Sequence, residues 1–186
     1  IVIFGATGYA GRTIAHEAVR RGYPVTAASR RGVPAPGLGA AVGWVAASLH
    51  DRQAVLELAR DADVLVCAIT SGPDSEGNTL PDAVPTLIAA AQAYAVRIGV
   101  VGGAGSLLLH EGGEPVITKL EAVAPPDKLR DIRLHGVFLD RLRETPADVD
   151  WFYVSPPTGF GAHVPGEHRG HYRVGRDVLL KDVVDG

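Results

Sequence analysis

The sequence contains no methionine and only one cysteine in 186 residues, and 6% of its residues are aromatic. A single cysteine excludes an internal disulfide framework and suits a reducing compartment, so we expect a cytoplasmic protein. Cys67 lies within an apolar, strand-like run, where a buried and unreactive thiol is expected. Without methionine the chain has no initiator, so we expect further residues before Ile1 and after Gly186 in the complete protein.

Long hydrophobic runs and a strong charge of one sign are also absent. No apolar run reaches the ~20 residues that span a bilayer, and no signal peptide is visible because the first apolar run starts at residue 1. The formal net charge of -3 gives no reason to expect nucleic acid or a membrane surface as a partner. The length predicts a single domain, residues 1–186, with one sizeable core.

Glycines mark the start of the chain at positions 5, 8 and 11, directly after the apolar run 1–4 and before an amphipathic segment. This order of strand, glycine turn and helix predicts a dinucleotide-binding turn. The first glycine permits a sharp exit from the strand, the second lets a pyrophosphate approach, and the third lets the helix lie close to the sheet. The helix N-terminus offers N–H groups to phosphates. The predicted phosphate-binding residues are Gly5, Thr7, Gly8, Tyr9, Ala10, Gly11 and Arg12; the alternative is a tight turn without a ligand.

Short apolar runs alternate with helical patterns along the rest of the chain. This predicts an α/β fold, a doubly wound parallel sheet of the Rossmann-like NAD(P)-binding type, with its ligand crevice at the carboxyl ends of the strands. Asp51 is expected to cap a helix that runs to about Arg60, and Thr79 with Pro81 to start another. The predicted strands are 1–4, 25–29, 43–46, 64–69, 98–101 and 151–154, the predicted long loops are 31–42 and 70–79, and 157–186 is the predicted substrate-side region.

The residue that ends the second strand distinguishes NAD from NADP. An acidic residue there would bind the ribose 2′-hydroxyl, but this chain has Arg30 followed by Arg31. A guanidinium suits a 2′-phosphate, so we predict that NADP(H) is preferred over NAD(H). The alternative is that both arginines are ordinary solvated surface charges.

The glycine motif resembles the Gly-x-x-Gly-x-x-Gly signature of the atypical short-chain dehydrogenases/reductases. That superfamily usually carries a Tyr-x-x-x-Lys pair as its proton donor and helper. The lysines here are Lys119, Lys128 and Lys181, and the residues four positions before them are Pro115, Ala124 and Asp177. The pair is absent, which disfavours alcohol oxidation and epimerisation of nucleotide sugars through a tyrosinate.

Three later segments narrow the resemblance. Residues 101–107 (VGGAGSL) resemble the fifth-strand motif of bacterial NADH-flavin reductases, a group similar to biliverdin reductase B and NmrA-like proteins. Residues 151–156 (WFYVSP) and 166–175 match the same group. The resemblance implies NAD(P)H binding and reduction of free flavin or a related acceptor. Relatives often carry an aspartate after the third strand that meets the adenine, whereas this chain has Ala47-Ser48-Leu49 there.

Flavin reduction suits the absence of the tyrosine, because the reduced flavin can take its proton from water and the protein mainly supplies proximity. Ser106 and His135 are the candidate catalytic residues; their structural alternatives are a turn serine and a solvated helix histidine. The resemblance implies that Ser48, Leu49, Ala68, Ile69 and Thr70 line the adenosine and ribose, and that Gly102, Ser106 and Pro156 face the nicotinamide.

Several functions remain open at this stage. One is an NADPH-preferring reductase that acts on a flavin or quinone-like small molecule, and another is a non-catalytic NADP sensor. An epimerase or dehydratase that uses a different acid is a third. We predict no metal site, because the histidines at 163, 168 and 171 lie in a glycine-rich segment that cannot fix ligands. The acceptor and the oligomeric state, monomer or homodimer, stay open.

Overall fold

A computed structural model describes residues 1–34, 37–164, 166–167 and 170–181. Six parallel strands form one sheet in the order β3-β2-β1-β4-β5-β6. The strands are β1 (Val2–Phe4), β2 (Val25–Ser29), β3 (Val42–Ala46), β4 (Val64–Cys67), β5 (Arg97–Val101) and β6 (Trp151–Val154). The helices are α1 (Tyr9–Arg20), α2 (Arg52–Ala59), α3 (Val84–Tyr94), α4 (Val116–Leu120) and α5 (Pro126–Arg143). The predicted doubly wound α/β fold is confirmed.

Several boundaries differ from the sequence prediction. β4 ends at Cys67, so Ala68, Ile69 and Thr70 belong to the loop that follows it. Thr79 forms a capping box with Asp82 at the predicted helix start, but the next turn is a 3-10 helix and α3 begins only at Val84. The five residues of α4 were not predicted, because a single turn is too short for a hydrophobic period to show.

The two faces of the sheet are covered unequally among the described residues. One face packs against α2, α3 and α5, and its core contains the fully buried Val55, Leu87 and Phe138. The other face packs against α1 through Ala15 and Ala18. Side chains point alternately to the two faces along a strand. The polar, glycine-rich loops leave the carboxyl ends of the strands, between the layers that cover the two faces. Within the described part of the chain, no helix has the length and apolar character needed to cross a bilayer.

Candidate functional site

The strand order changes direction between β1 and β4. The chain leaves β1 toward β2 on one side and leaves β4 toward β5 on the other, which opens a crevice above the carboxyl ends of β1 and β4. The glycine turn that follows β1 lies at this crevice. Its first residue, Gly5, has φ +85, and a Cβ there would lie 2.3 Å from the carbonyl oxygen of Ala68. The turn is therefore packed directly against the end of β4.

The other two motif glycines have different tasks. A Cβ on Gly11 would lie 2.3 Å from the carbonyl oxygen of Gly5, so the first turn of α1 rests on the backbone of the glycine turn. A Cβ on Gly8 would meet only that same oxygen, at 3.2 Å, and its outer side is open. The amide of Gly8 donates to the Gly5 carbonyl at 2.9 Å, which closes the turn. This geometry agrees with the sharp turn predicted at Gly5 and the close packing predicted at Gly11, and it leaves space for a ligand at Gly8.

The N-terminus of α1 presents hydrogen-bond donors to that space. The first helical bond runs from the amide of Arg12 to the carbonyl of Gly8, so the amides of Tyr9, Ala10 and Gly11 have no acceptor among the described residues. No side chain caps this end, and no acidic residue lies in the first turn. The exposed Arg12 adds a positive charge. These groups fit a dinucleotide pyrophosphate, which carries the charge and the acceptor oxygens that a helix N-terminus favours.

Arg30 and Arg31 are the two central residues of a tight turn after β2. The carbonyl of Ser29 accepts hydrogen bonds from the amides of Gly32 (3.1 Å) and Ala47 (3.0 Å), which fastens the turn to the end of β3. Both arginines are exposed, and neither forms an ion pair or a hydrogen bond with the described residues. The predicted position at the end of β2 is correct. Two arginines that have no ion-pair partner in the described part of the chain therefore lie at the carboxyl end of β2.

The residues expected on the adenosine side are placed less uniformly. The hydroxyl of Ser48 accepts from the amide of His50 at 3.2 Å, so it serves a local turn. The side chain of Leu49 is buried in the core, so a contact between Leu49 and the adenosine would have to use its backbone. Ala68 and Ile69 are half-buried and Thr70 is exposed in the loop after β4.

The glycines after β5 let three other elements approach closely. A Cβ on Gly102 would overlap the ring of Tyr153, at 1.9 Å, and one on Gly105 would lie 2.3 Å from a methyl group of Ile132. Gly103 lies against the His135 side chain, at 3.4 Å. Gly102 is buried beneath that ring, so only its backbone is available to a cofactor, and its place beside the nicotinamide stays a prediction.

His135 stands on α5 beside this glycine segment. Its Nδ1 is buried and has no hydrogen-bond partner among the described residues. Burial lowers the pKa of the imidazole, and the charge of Asp131 opposes that effect only in part. The imidazole is therefore mostly uncharged at neutral pH and can donate a hydrogen bond or relay a proton. It is not the solvated helix histidine of the alternative interpretation.

Ser106 and Pro156 lie on a cavity of about 980 Å³ that begins at the N-terminus of α1. The Ser106 hydroxyl forms no hydrogen bond with the described residues, and both residues are half-buried. The cavity does not stop at the carboxyl edge, since it continues along the sheet to Trp151 at the start of β6. Only the end of the cavity that lies near Ser106 and Pro156 belongs to the candidate site. There Tyr9 makes an edge-to-face contact with Phe160, with ring centroids 5.4 Å apart.

Two residues of the site were missed by the sequence analysis. Ser29 ends β2 with a buried hydroxyl that has no partner among the described residues, and Tyr153 contacts both the segment after β5 and α5. The sequence signal for Ser29 was a polar residue at the end of a strand. The signal for Tyr153 was an aromatic residue in a strand that neighbours a glycine-rich segment. Of the matched segment 166–175, residues 168 and 169 lie outside the described residues, and Tyr172 to Gly175 line the cavity.

A Rossmann-like sheet with a glycine turn at its switch point is typical of proteins that bind a dinucleotide. The chain belongs to the NAD(P)H-binding family, whose model matches residues 5–173.

The relatives have about the same fold over nearly the whole chain. An uncharacterized Bacillus subtilis protein, YwnB, is 28% identical over 97% of this chain and 81% of its own. A "putative exported protein" from Burkholderia pseudomallei is 29% identical with a TM-score of 0.75, over 98% of this chain and 82% of its own. A "putative epimerase" from Bacteroides thetaiotaomicron is 26% identical with a TM-score of 0.77, over 98% and 81%. A "putative NADH-flavin reductase" from Streptococcus pneumoniae, 24% identical over 98% and 82% with a TM-score of 0.72, shares the fold.

Proposed function

We propose that the protein is a reductase that prefers NADPH and passes a hydride to a flavin or a similar small planar acceptor. The observation that carries the proposal is the pairing of two features on one sheet edge. Unsatisfied amides at the start of α1 suit the pyrophosphate, and Arg30 and Arg31, without partners in the described structure, suit a 2′-phosphate. The first feature favours any dinucleotide, and the second favours the phosphorylated one.

The chain's own groups divide the work between two halves of the crevice. Bound NAD(P)H supplies the hydride. The turn 29–32 and the N-terminus of α1 would hold the adenosine and phosphate end of the cofactor and so orient it for the reaction. Ser106 donates a hydrogen bond to the carboxamide or to the acceptor. His135 donates through its neutral imidazole, which suits an acceptor that gains negative charge on reduction.

The missing Tyr-x-x-x-Lys pair argues against an epimerase or dehydratase, but it does not distinguish a reductase from a sensor. Epimerases and dehydratases of this fold depend on an acid held by that pair, and this chain supplies none at that spacing. A flavin needs no such acid, because its reduced form can take a proton from water. A non-catalytic NADP sensor is equally free of the pair, so turnover is the property that distinguishes the sensor from the reductase.

The first experiment compares NADPH and NADH binding to the native chain and to Arg30→Ala. Loss of one charge-assisted contact, worth about 1.5–3 kcal/mol, should raise the Kd for NADPH by roughly 10- to 100-fold. The Kd for NADH should change less than about 2-fold. Arg60→Ala is the matched control, since Arg60 is exposed, follows α2 at the opposite edge of the sheet and has no partner among the described residues. Equal losses for both cofactors would reject the assignment.

The second experiment tests turnover. The absorbance of NADPH at 340 nm should fall in the presence of FMN, FAD or a quinone, and the fall should depend on enzyme concentration. Ser106→Ala and His135→Gln should each slow this loss without a large change in NADPH affinity. Tight NADPH binding with no turnover on any of these acceptors would favour the sensor.

A further inference from the structure

We propose that Tyr153 is a positioning residue of this site: its hydroxyl ties the segment after β5 to α5 and so fixes the place of His135 relative to the cofactor. The inference rests on the proposed function, in which Ser106 and His135 face the reacting end of the cofactor. Tyr153 itself need not touch either reactant.

The ring of Tyr153 occupies the space left by a glycine. It lies over Gly102, where a Cβ would be 1.9 Å from the ring carbon that bears the hydroxyl. The preceding residue on β6, Phe152, covers Gly99 of β5 in the same way, since a Cβ on Gly99 would lie 2.5 Å from the Phe152 ring. Successive aromatic residues of β6 thus occupy the space left by glycines on opposite faces of the sheet. Phenylalanine would fill the position of Tyr153 equally well, so packing does not account for its hydroxyl.

The hydroxyl joins two elements that are distant in sequence. It accepts a hydrogen bond from the amide of Gly103 at 2.9 Å and donates to the carbonyl of His135 at 3.4 Å. The second bond is the longer and weaker one, so the amide is the main anchor. Burial raises the pKa of Tyr153, which keeps the hydroxyl protonated and able to serve as donor and acceptor together.

The same turn forms a wall against the imidazole. Gly103 lies 3.4 Å from the Cβ and Cγ of His135, measured from the position that a Cβ on the glycine would take. A shift of this turn would therefore move the surface on which the histidine rests. Displacements of about 1 Å at a reacting centre can cost 100-fold in rate, so one buried hydroxyl can govern turnover from a distance.

The test is Tyr153→Phe, which keeps the ring over Gly102 and removes the bridge. We expect kcat to fall about 10-fold or more while the Kd for NADPH stays within about 2-fold. Tyr23→Phe is the matched control: it deletes the hydroxyl of a tyrosine that is 54% exposed and precedes β2 at the opposite edge of the sheet. A kcat for Tyr153→Phe equal to that of the control would overturn the proposal.

A double-mutant cycle separates positioning from general loosening of the fold. If Tyr153 acts through His135, then adding Tyr153→Phe to His135→Gln should lower kcat by less than about 2-fold. A full 10-fold loss in that background would show that the hydroxyl does not act through the histidine and would overturn the proposal.

A readout without turnover keeps the two proposals apart. The imidazole resonances of His135 in ¹⁵N-labelled protein should shift in Tyr153→Phe and remain unchanged in Tyr23→Phe. If the native protein reduces no acceptor but this shift appears, the proposed function fails and the positioning contact stands. Unchanged His135 resonances would refute the contact whatever the activity.

Discussion

Gly11 and Gly136, both within helices, should respond to alanine with opposite signs. Alanine is favoured over glycine in a helix by about 1 kcal/mol, and this gain applies to both positions. At Gly136 of α5 a new Cβ would meet nothing within 4 Å, so the gain is kept. At Gly11 of α1 it would lie 2.3 Å from the Gly5 carbonyl oxygen, 2.7 Å from its carbon and 3.0 Å from the Cα of Ala6. All three atoms belong to the backbone and cannot rotate away.

The magnitude follows from the distances. Ordinary contact begins at 3.4 Å, so the helix must retreat by about 1 Å (3.4 minus 2.3) from the glycine turn. Overpacking of this kind costs about 1–3 kcal/mol, which leaves Gly11→Ala destabilising by up to about 2 kcal/mol after the helical gain. At about 2–4 °C per kcal/mol for a chain of this size, Gly136→Ala should raise Tm by about 2–4 °C and Gly11→Ala should lower it by up to about 8 °C.

The assay is thermal unfolding followed by circular dichroism, with NADPH titration of each folded variant. The retreat of α1 also moves the amides of Tyr9 and Ala10 away from the glycine turn, so Gly11→Ala should weaken NADPH binding by about 10-fold or more. Gly136→Ala should bind NADPH as the native chain does. A Gly11→Ala protein with native Tm and native affinity would refute the close-packing argument.

Three further predictions come from buried groups. Burial raises the pKa of the Cys67 thiol to about 12, so the folded protein should resist DTNB at pH 8 and react only after unfolding in urea. For the same reason, the stability of the fold should fall as pH rises from about 9 to 12. Rapid labelling of the native state would contradict the burial of this thiol. Burial lowers the pKa of His135, so the fold should lose stability as pH falls through about 6.5, a loss that His135→Gln should reduce; an unchanged acid slope in that variant would count against it. Gly102→Ala should lower Tm because its Cβ would overlap the Tyr153 ring, and an unaltered Tm would refute that overlap.

The strand positions and one helix cap were predictable from local sequence patterns. All six strands were predicted to within about two residues, and the continuous apolar runs of β1 and β4 correspond to strands whose side chains are mostly buried. Asp51 was also predicted as a cap, and its carboxylate accepts from the amide of Ala54 at 3.1 Å. A capping contact spans only three residues, so the sequence contains all of it.

The segment from Gly102 to Ser106 shows where local patterns fail. As a sequence, its glycines indicate close approach by some partner, and a ligand was the expected one. In the structure, Tyr153 and Ile132 fill the space beside Gly102 and Gly105, and they lie 51 and 27 residues further along the chain. A glycine indicates that another group approaches its Cα closely, and only the tertiary structure decides which group that is.

The sequence by itself determined the α/β alternation, the glycine turn after β1, and the two arginines that end β2. Each of these depends on neighbours in the chain: a hydrophobic run, a backbone turn, or the order of residues at a strand end. The tertiary structure decided that β4 lies beside β1, that α5 brings His135 to the turn after β5, and that Tyr153 joins them. Those contacts depend on strand order and helix docking, which arise from the packing of the whole core and have no signature in any one segment.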